Sequence, residues 1–217
     1  MKHTWSWGAL ALCIGVSASA SAGSRGPSSV VPPANPAAVN VAPEIPSDSF
    51  LTNFAGLELV DQQGVPFQAA GLVNHVVLFN FIFTNCGSVC PMQTRTLAQV
   101  LEGLPADVRG QVRFVSVSID PESDTPAKLQ RFSKTMGADL DGWSFLTGDT
   151  LQVEALTQRL HIFDESETGQ ANKPEIHRTS LWLVDKRGRM LQRYRGDPPD
   201  KERLIRELAQ VSRMTVR

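Results

Sequence analysis

Long runs of any one kind are what this sequence lacks. No stretch of lysine and arginine stands out, and 21 basic residues face 22 acidic ones, a formal net charge of −1. A chain so balanced offers no electrostatic footprint for nucleic acid or an anionic membrane face, and most of its charges read as solvated surface. No apolar run spans the roughly 30 Å hydrocarbon core of a bilayer comfortably. No internal repeat is present. Cysteine and histidine are scarce, at three and four copies, so any thiol or metal chemistry rests on a handful of positions. What is present, 217 residues at 41% hydrophobic content, suffices for one core of ordinary size.

The N-terminus reads as a targeting segment. Lys2 gives a positive start, Trp7 to Val16 is a compact apolar stretch, and small residues run to Ala20-Ser21-Ala22. That is the layout of a secretory signal over residues 1–22, with cleavage near Ala22. The alternative is an uncleaved anchor, which would leave a membrane tether. A lipoprotein signal on Cys13 is disfavoured because Leu12, not a small residue, precedes it. The expected location is therefore exported, periplasmic or on the extracytoplasmic face of the membrane. Removal of the signal removes Cys13 and leaves Cys86 and Cys90, enough for one disulfide in an oxidising compartment. Residues 23–46 carry Pro27, Pro32, Pro33, Pro36, Pro43 and Pro46, which forbid a stable helix and favour an extended, flexible tether.

The folded domain is expected over residues 47–217. Phe54 to Leu59 and the segment at Pro66-Phe67 read as an opening hairpin with Gly64 at its turn. His75 to Phe83 is an apolar, β-branched and aromatic run, as in a strand buried on both faces. Pro91 suits the first turn of a helix continuing to Leu104. Strands are expected at 112–119, 143–146, 179–184 and 190–194, with the last two joined by a turn at Lys186-Arg187-Gly188. Helices are expected at 126–136, 150–160 and 201–211. Alternating strands and helices followed by a hairpin and a last helix give an α/β, thioredoxin-like mixed sheet with helices on both faces.

A buried strand that delivers Cys86 and Cys90 to a helix start concentrates the chemistry there. In a helical turn the C-x-x-x-C spacing puts the two Cα atoms roughly 6 Å apart, within reach of a disulfide. Unpaired N–H groups and the helix dipole favour thiolate, the form that attacks disulfides and binds metal. An inert disulfide staple is the plainer alternative. His3 lies in the signal, His75 reads as a core or edge residue, and His161 ends a helix. His177 precedes a strand that could run beside the one carrying the cysteines; from the residues alone its role stays open. Two thiolates and an imidazole suit copper, whereas structural zinc usually takes four protein ligands. Met92 offers a soft thioether, with packing as its plainer role.

Three segments together resemble the Sco/SenC family: Phe81 to Pro91 (FIFTNCGSVCP), Val115 to Pro126 (VSVSIDPESDTP) and Trp143 to Gly148 (WSFLTG). The resemblance covers most of residues 50–213. It implies a copper ion held by Cys86, Cys90 and His177, with Cys86 and Cys90 also a redox-active pair. It implies a metallochaperone whose partner is a copper-accepting respiratory oxidase subunit or another copper protein, served by a thiol reductant. Asp120 would tune the site, with a turn before Pro121 as its plainer role. Gly87 stands where the family usually has proline, and Glu175-Ile176 precede His177 where many members carry aspartate. A thiol–disulfide oxidoreductase is the competing reading, and a peroxidase on Cys86 alone is weaker.

Overall fold

The structure is a computed structural model that describes residues 43–163 and 179–214. The expected signal, most of the tether, and His177 with Glu175 and Ile176 lie outside the described residues. The elements run β1 (Leu59–Val60), β2 (Val76–Ile82), α1 (Val89–Gly103), α2 (Ala106–Arg109), β3 (Val112–Ser118), α3 (Pro126–Met136), β4 (Trp143–Gly148), α4 (Thr150–Arg159), β5 (Ser180–Val184), β6 (Met190–Arg195) and α5 (Lys201–Arg213). One six-stranded sheet forms in the order β1-β4-β3-β2-β5-β6. β2, β3 and β4 are parallel, while β5, β6 and β1 are added antiparallel. This is the expected α/β, thioredoxin-like mixed sheet.

The two faces of β2 show how the layers are filled. All seven of its residues are buried, as a central strand covered on both sides requires. On one face Asn80 meets Gln93 of α1; farther along the same layer Phe132 of α3 packs on Phe145 and Tyr194 reaches Glu207 of α5. On the other face Phe79 stacks on Phe54, with Phe50 beside it, both from a 3-10 turn at Phe50–Phe54. Arg159 at the end of α4 bonds the Asn53 and Ala55 carbonyls of that turn. Helices therefore cover both faces.

The opening segment differs from the expectation. Phe54 belongs to the 3-10 turn, and β1 is two residues long and pairs with β4. Only the tip of the expected hairpin forms. Val60 bridges to Pro66, and Gly64 takes φ +79° in the turn. Phe50 and Phe54 are aromatic because they roof the sheet, not because they join it. At the other turn, Gly188 has φ +78°, and a Cβ there would stand 1.8 Å from Ser49 Oγ. The Phe50 N–H and the Ser49 hydroxyl both reach the Gly188 carbonyl, so glycine is needed for that closure.

Candidate functional site

The site begins where β2 ends. Phe83 to Cys86 form a tight turn closed by the Cys86 N–H on the Phe83 carbonyl (3.2 Å). α1 starts at Val89, with Ser88 at its cap position. Cys86 thus lies before the helix and Cys90 inside its first turn, rather than both lying within it. Pro91 also falls in that first turn, where a missing N–H costs nothing.

Ser88 makes no side-chain capping bond. The Cys86 sulfur does the work instead, accepting the Cys90 N–H at 3.4 Å. Both cysteines are free thiols, Cys86 partly exposed and Cys90 1% exposed. Their electrostatics split accordingly. Burial pushes the Cys86 thiol up, but N–H groups of Cys90, Ser88 and Val89 outweigh it and hold the thiol below its ordinary range. Burial drives Cys90 up to about 12, reinforced by the neighbouring Cys86. The helix start therefore favours thiolate at one sulfur, where sequence reasoning had credited both.

Gly87 is not demanded by crowding, since a Cβ there would meet nothing within 4 Å. Its effect is to leave the Cys86 side of the turn bare. Met92 is 42% exposed, so packing does not explain it. His75 stands at the start of β2, the end of that strand away from the cysteines, with Nδ1 3.2 Å from the Val73 carbonyl. Its pKa is lowered, first by burial and then by Arg113 and Lys186. His161 is exposed at the end of α4 with φ +49°. Asp120 shows its turn role: its carbonyl accepts from Ser123 (3.1 Å) and Asp124 (2.8 Å). It also borders a hollow of about 250 Å³ with Glu122, Val153, Glu154 and Phe163. Among the described residues no three His, Cys, Asp or Glu side chains gather as a metal cluster; the cysteine pair is the part of the expected ligand set that is described.

Two polar systems beneath the pair were missed from sequence. Asn80 Nδ2 donates to Gln93 Oε1 (2.7 Å), Ser116 Oγ to Asn80 Oδ1 (2.6 Å), Trp143 Nε1 to Ser116 Oγ (2.9 Å) and Gln93 Nε2 to the Gly196 carbonyl (3.0 Å). A Cβ on Gly196 would stand 2.0 Å from Gln93 Nε2, so this backbone comes close only because the residue is glycine. The second system joins Thr84 and Ser118 to the buried Asp124. The visible signals were a lone asparagine in an apolar run and an aspartate before Thr125-Pro126. Neither names its partner.

The protein-family model described as SCO1/SenC matches residues 48–213. The SCO1 protein homolog of Bacillus subtilis is 35% identical over 141 residues, covering 63% of this chain and 70% of the relative. Among solved structures, a SCO1/SenC family lipoprotein from Bacillus anthracis is 30% identical with a TM-score of 0.60, covering 71% of this chain and 92% of that one. BsSco, described with a disulfide switch and as a member of the Sco family of cytochrome c oxidase assembly proteins, is also 30% identical (TM-score 0.59, 73% and 92% coverage). Bradyrhizobium japonicum ScoI with copper bound shares the fold at 20% identity, with a TM-score of 0.59 and coverage of 71% and 96%. A cysteine pair where β2 passes into α1, a matching fold and a family match across the whole folded unit agree, and the chain belongs to the SCO1/SenC family.

Proposed function

We propose that this protein is an exported metallochaperone that carries copper on Cys86, Cys90 and His177 and supports assembly of a copper centre in a respiratory oxidase. The observation that carries the reading is the pair of free thiols at the start of α1 in a SCO1/SenC chain, one stabilised as thiolate and one kept dry. A relative of the same fold has been solved with copper bound. Two sulfurs and one imidazole form a soft donor set that suits copper and falls short of the four protein ligands of structural zinc. Copper is the cargo. Cys86 presents its sulfur at the surface, Cys90 supplies a second one shielded from water, and His177 completes the set when neutral. The signal-like layout of residues 1–22 in the sequence supports export.

The test is titration of the reduced protein with copper(I) against a competing chelator. One copper per chain is expected, with affinity reduced at least tenfold by Cys86→Ser or Cys90→Ser and less severely by His177→Ala. Unchanged affinity in both cysteine variants would sink the assignment. The mass of the exported chain, expected to begin after Ala22, checks the signal in the same preparation.

The split between the two thiols favours a second activity at the same pair, exchange with a protein dithiol or disulfide. Cys86 would be the attacking sulfur and Cys90 the resolving one. A disulfide switch in BsSco supports it. The thiol reductant expected from sequence belongs here, since only the reduced pair can take up copper.

A further inference from the structure

Asp124 is fully buried. Among the described residues no lysine or arginine pairs with it. A carboxylate in that position is costly unless its oxygens are filled by hydrogen bonds. They are filled from two directions. Oδ2 accepts the Thr84 N–H (3.0 Å) and the Ser118 hydroxyl (2.6 Å), and Oδ1 accepts the Thr84 hydroxyl. The same loop is fixed from below, with the Asp124 N–H on the Asp120 carbonyl (2.8 Å) and the Ile119 N–H on the Ile82 carbonyl (2.9 Å). Thr84 is thus held by both of its donors at once.

Thr84 sits inside the turn that the Cys86 N–H closes on the Phe83 carbonyl. That turn decides where the Cys86 sulfur meets the N–H of Cys90. We infer that Asp124 is a positioning residue for the thiol pair: through Thr84 it clamps the Phe83–Cys86 turn in the arrangement that suits the reduced, metal-ready cysteines. A neutral residue of the same size would fill the space. It would not accept from three donors. The inference rests on Cys86 and Cys90 being the working pair.

A residue that only supports the fold destabilises the reduced and oxidised proteins equally, so it leaves the disulfide equilibrium alone. A positioning residue acts on one redox state more than the other. The experiment therefore equilibrates wild type, Asp124→Asn, Thr84→Val and Thr84→Ser with a small dithiol of known potential. The dithiol loses two electrons and two protons to become a disulfide, and the Cys86–Cys90 disulfide becomes two thiols. Asp124→Asn and Thr84→Val are expected to favour the protein disulfide about tenfold over wild type, ~30 mV more negative. Thr84→Ser keeps both donors and is expected within twofold. Copper(I) affinity of the reduced clamp variants should fall by a similar factor. If Asp124→Asn does not fold, Thr84→Val carries the test, since the Thr84 N–H bond survives it. Lower unfolding midpoints in both redox states with an unchanged disulfide equilibrium would overturn the inference. Unchanged copper affinity in the cysteine variants would instead defeat the copper reading, while the redox equilibrium still decides the clamp.

Discussion

Cys86, just before α1, and Cys90, in its first turn, stand in different surroundings. Cys86 faces N–H groups that favour its thiolate; Cys90 faces apolar side chains that oppose one. Reactivity belongs to the sulfur whose thiolate is favoured and which solvent can reach, and Cys86 meets both conditions. In reduced Cys90→Ser the remaining Cys86 thiol should be alkylated with a pH midpoint below that of a free thiol. In reduced Cys86→Ser the remaining Cys90 should stay protonated and slow well above pH 9, because loss of its neighbour leaves its burial in place. Alkylation followed by mass spectrometry from pH 6 to about 11 checks both arms. Equal profiles would show that the helix start acts on neither sulfur selectively. The cysteine pair was legible in the sequence because a buried strand and a helix start flank it. The split was not, since it depends on which sulfur lies outside the helix and which beneath it.

Helix α1 is pinned to the sheet by an amide, not by apolar contact alone. Gln93 is 2% exposed and bonds Asn80 on one side and the Gly196 carbonyl on the other. Truncation would leave both of those groups buried without a partner, at about 1–3 kcal/mol each. Gln93→Ala should therefore lower unfolding stability by roughly 2–5 kcal/mol in denaturant titration, and Gln93→Glu should be destabilising too, because a carboxylate cannot donate to the Gly196 carbonyl. A loss under 1 kcal/mol for Gln93→Ala would mean water fills the gap. At this scale the sequence was readable wherever a period or a cap marks an element. β2, β3, α3 and α5 fall within a residue or two of their expected bounds. Pro126 at the first turn of α3 follows Thr125, which caps it. The opening segment was misread because Phe54, an aromatic of the kind strands favour, sits in a 3-10 turn and roofs the sheet instead of joining it. The pairings of Asn80 with Gln93 and of Thr84 with Asp124 join separate elements, and no local pattern announces them.

In the folded unit the cysteine turn follows the end of β2 at the edge of the parallel part of the sheet, where open α/β sheets leave a crevice for ligands. One sulfur of the pair is reachable from outside and the other is sealed by the core. Under the proposed function, a partner that receives copper or exchanges thiols would engage through Cys86, the exposed sulfur. The same arrangement makes loading depend on redox state. A bond between Cys86 and Cys90 removes both sulfur donors together and leaves His177 alone from the proposed set. The Cys86 sulfur lies 3.4 Å from the Cys90 N–H, which brings the two side chains within range of that bond, and the proposed export would place it in oxidising conditions. The purified protein should form an intramolecular disulfide in air, take up little copper(I), and regain uptake once reduced. Thiol counting beside copper uptake, before and after a reductant that is then removed, measures this. The uptake recovered should track the number of free thiols, reaching one copper for each chain with two. If fully oxidised protein binds copper as tightly as reduced protein, the donors are not these sulfurs, and exchange chemistry becomes the role that fits the pair.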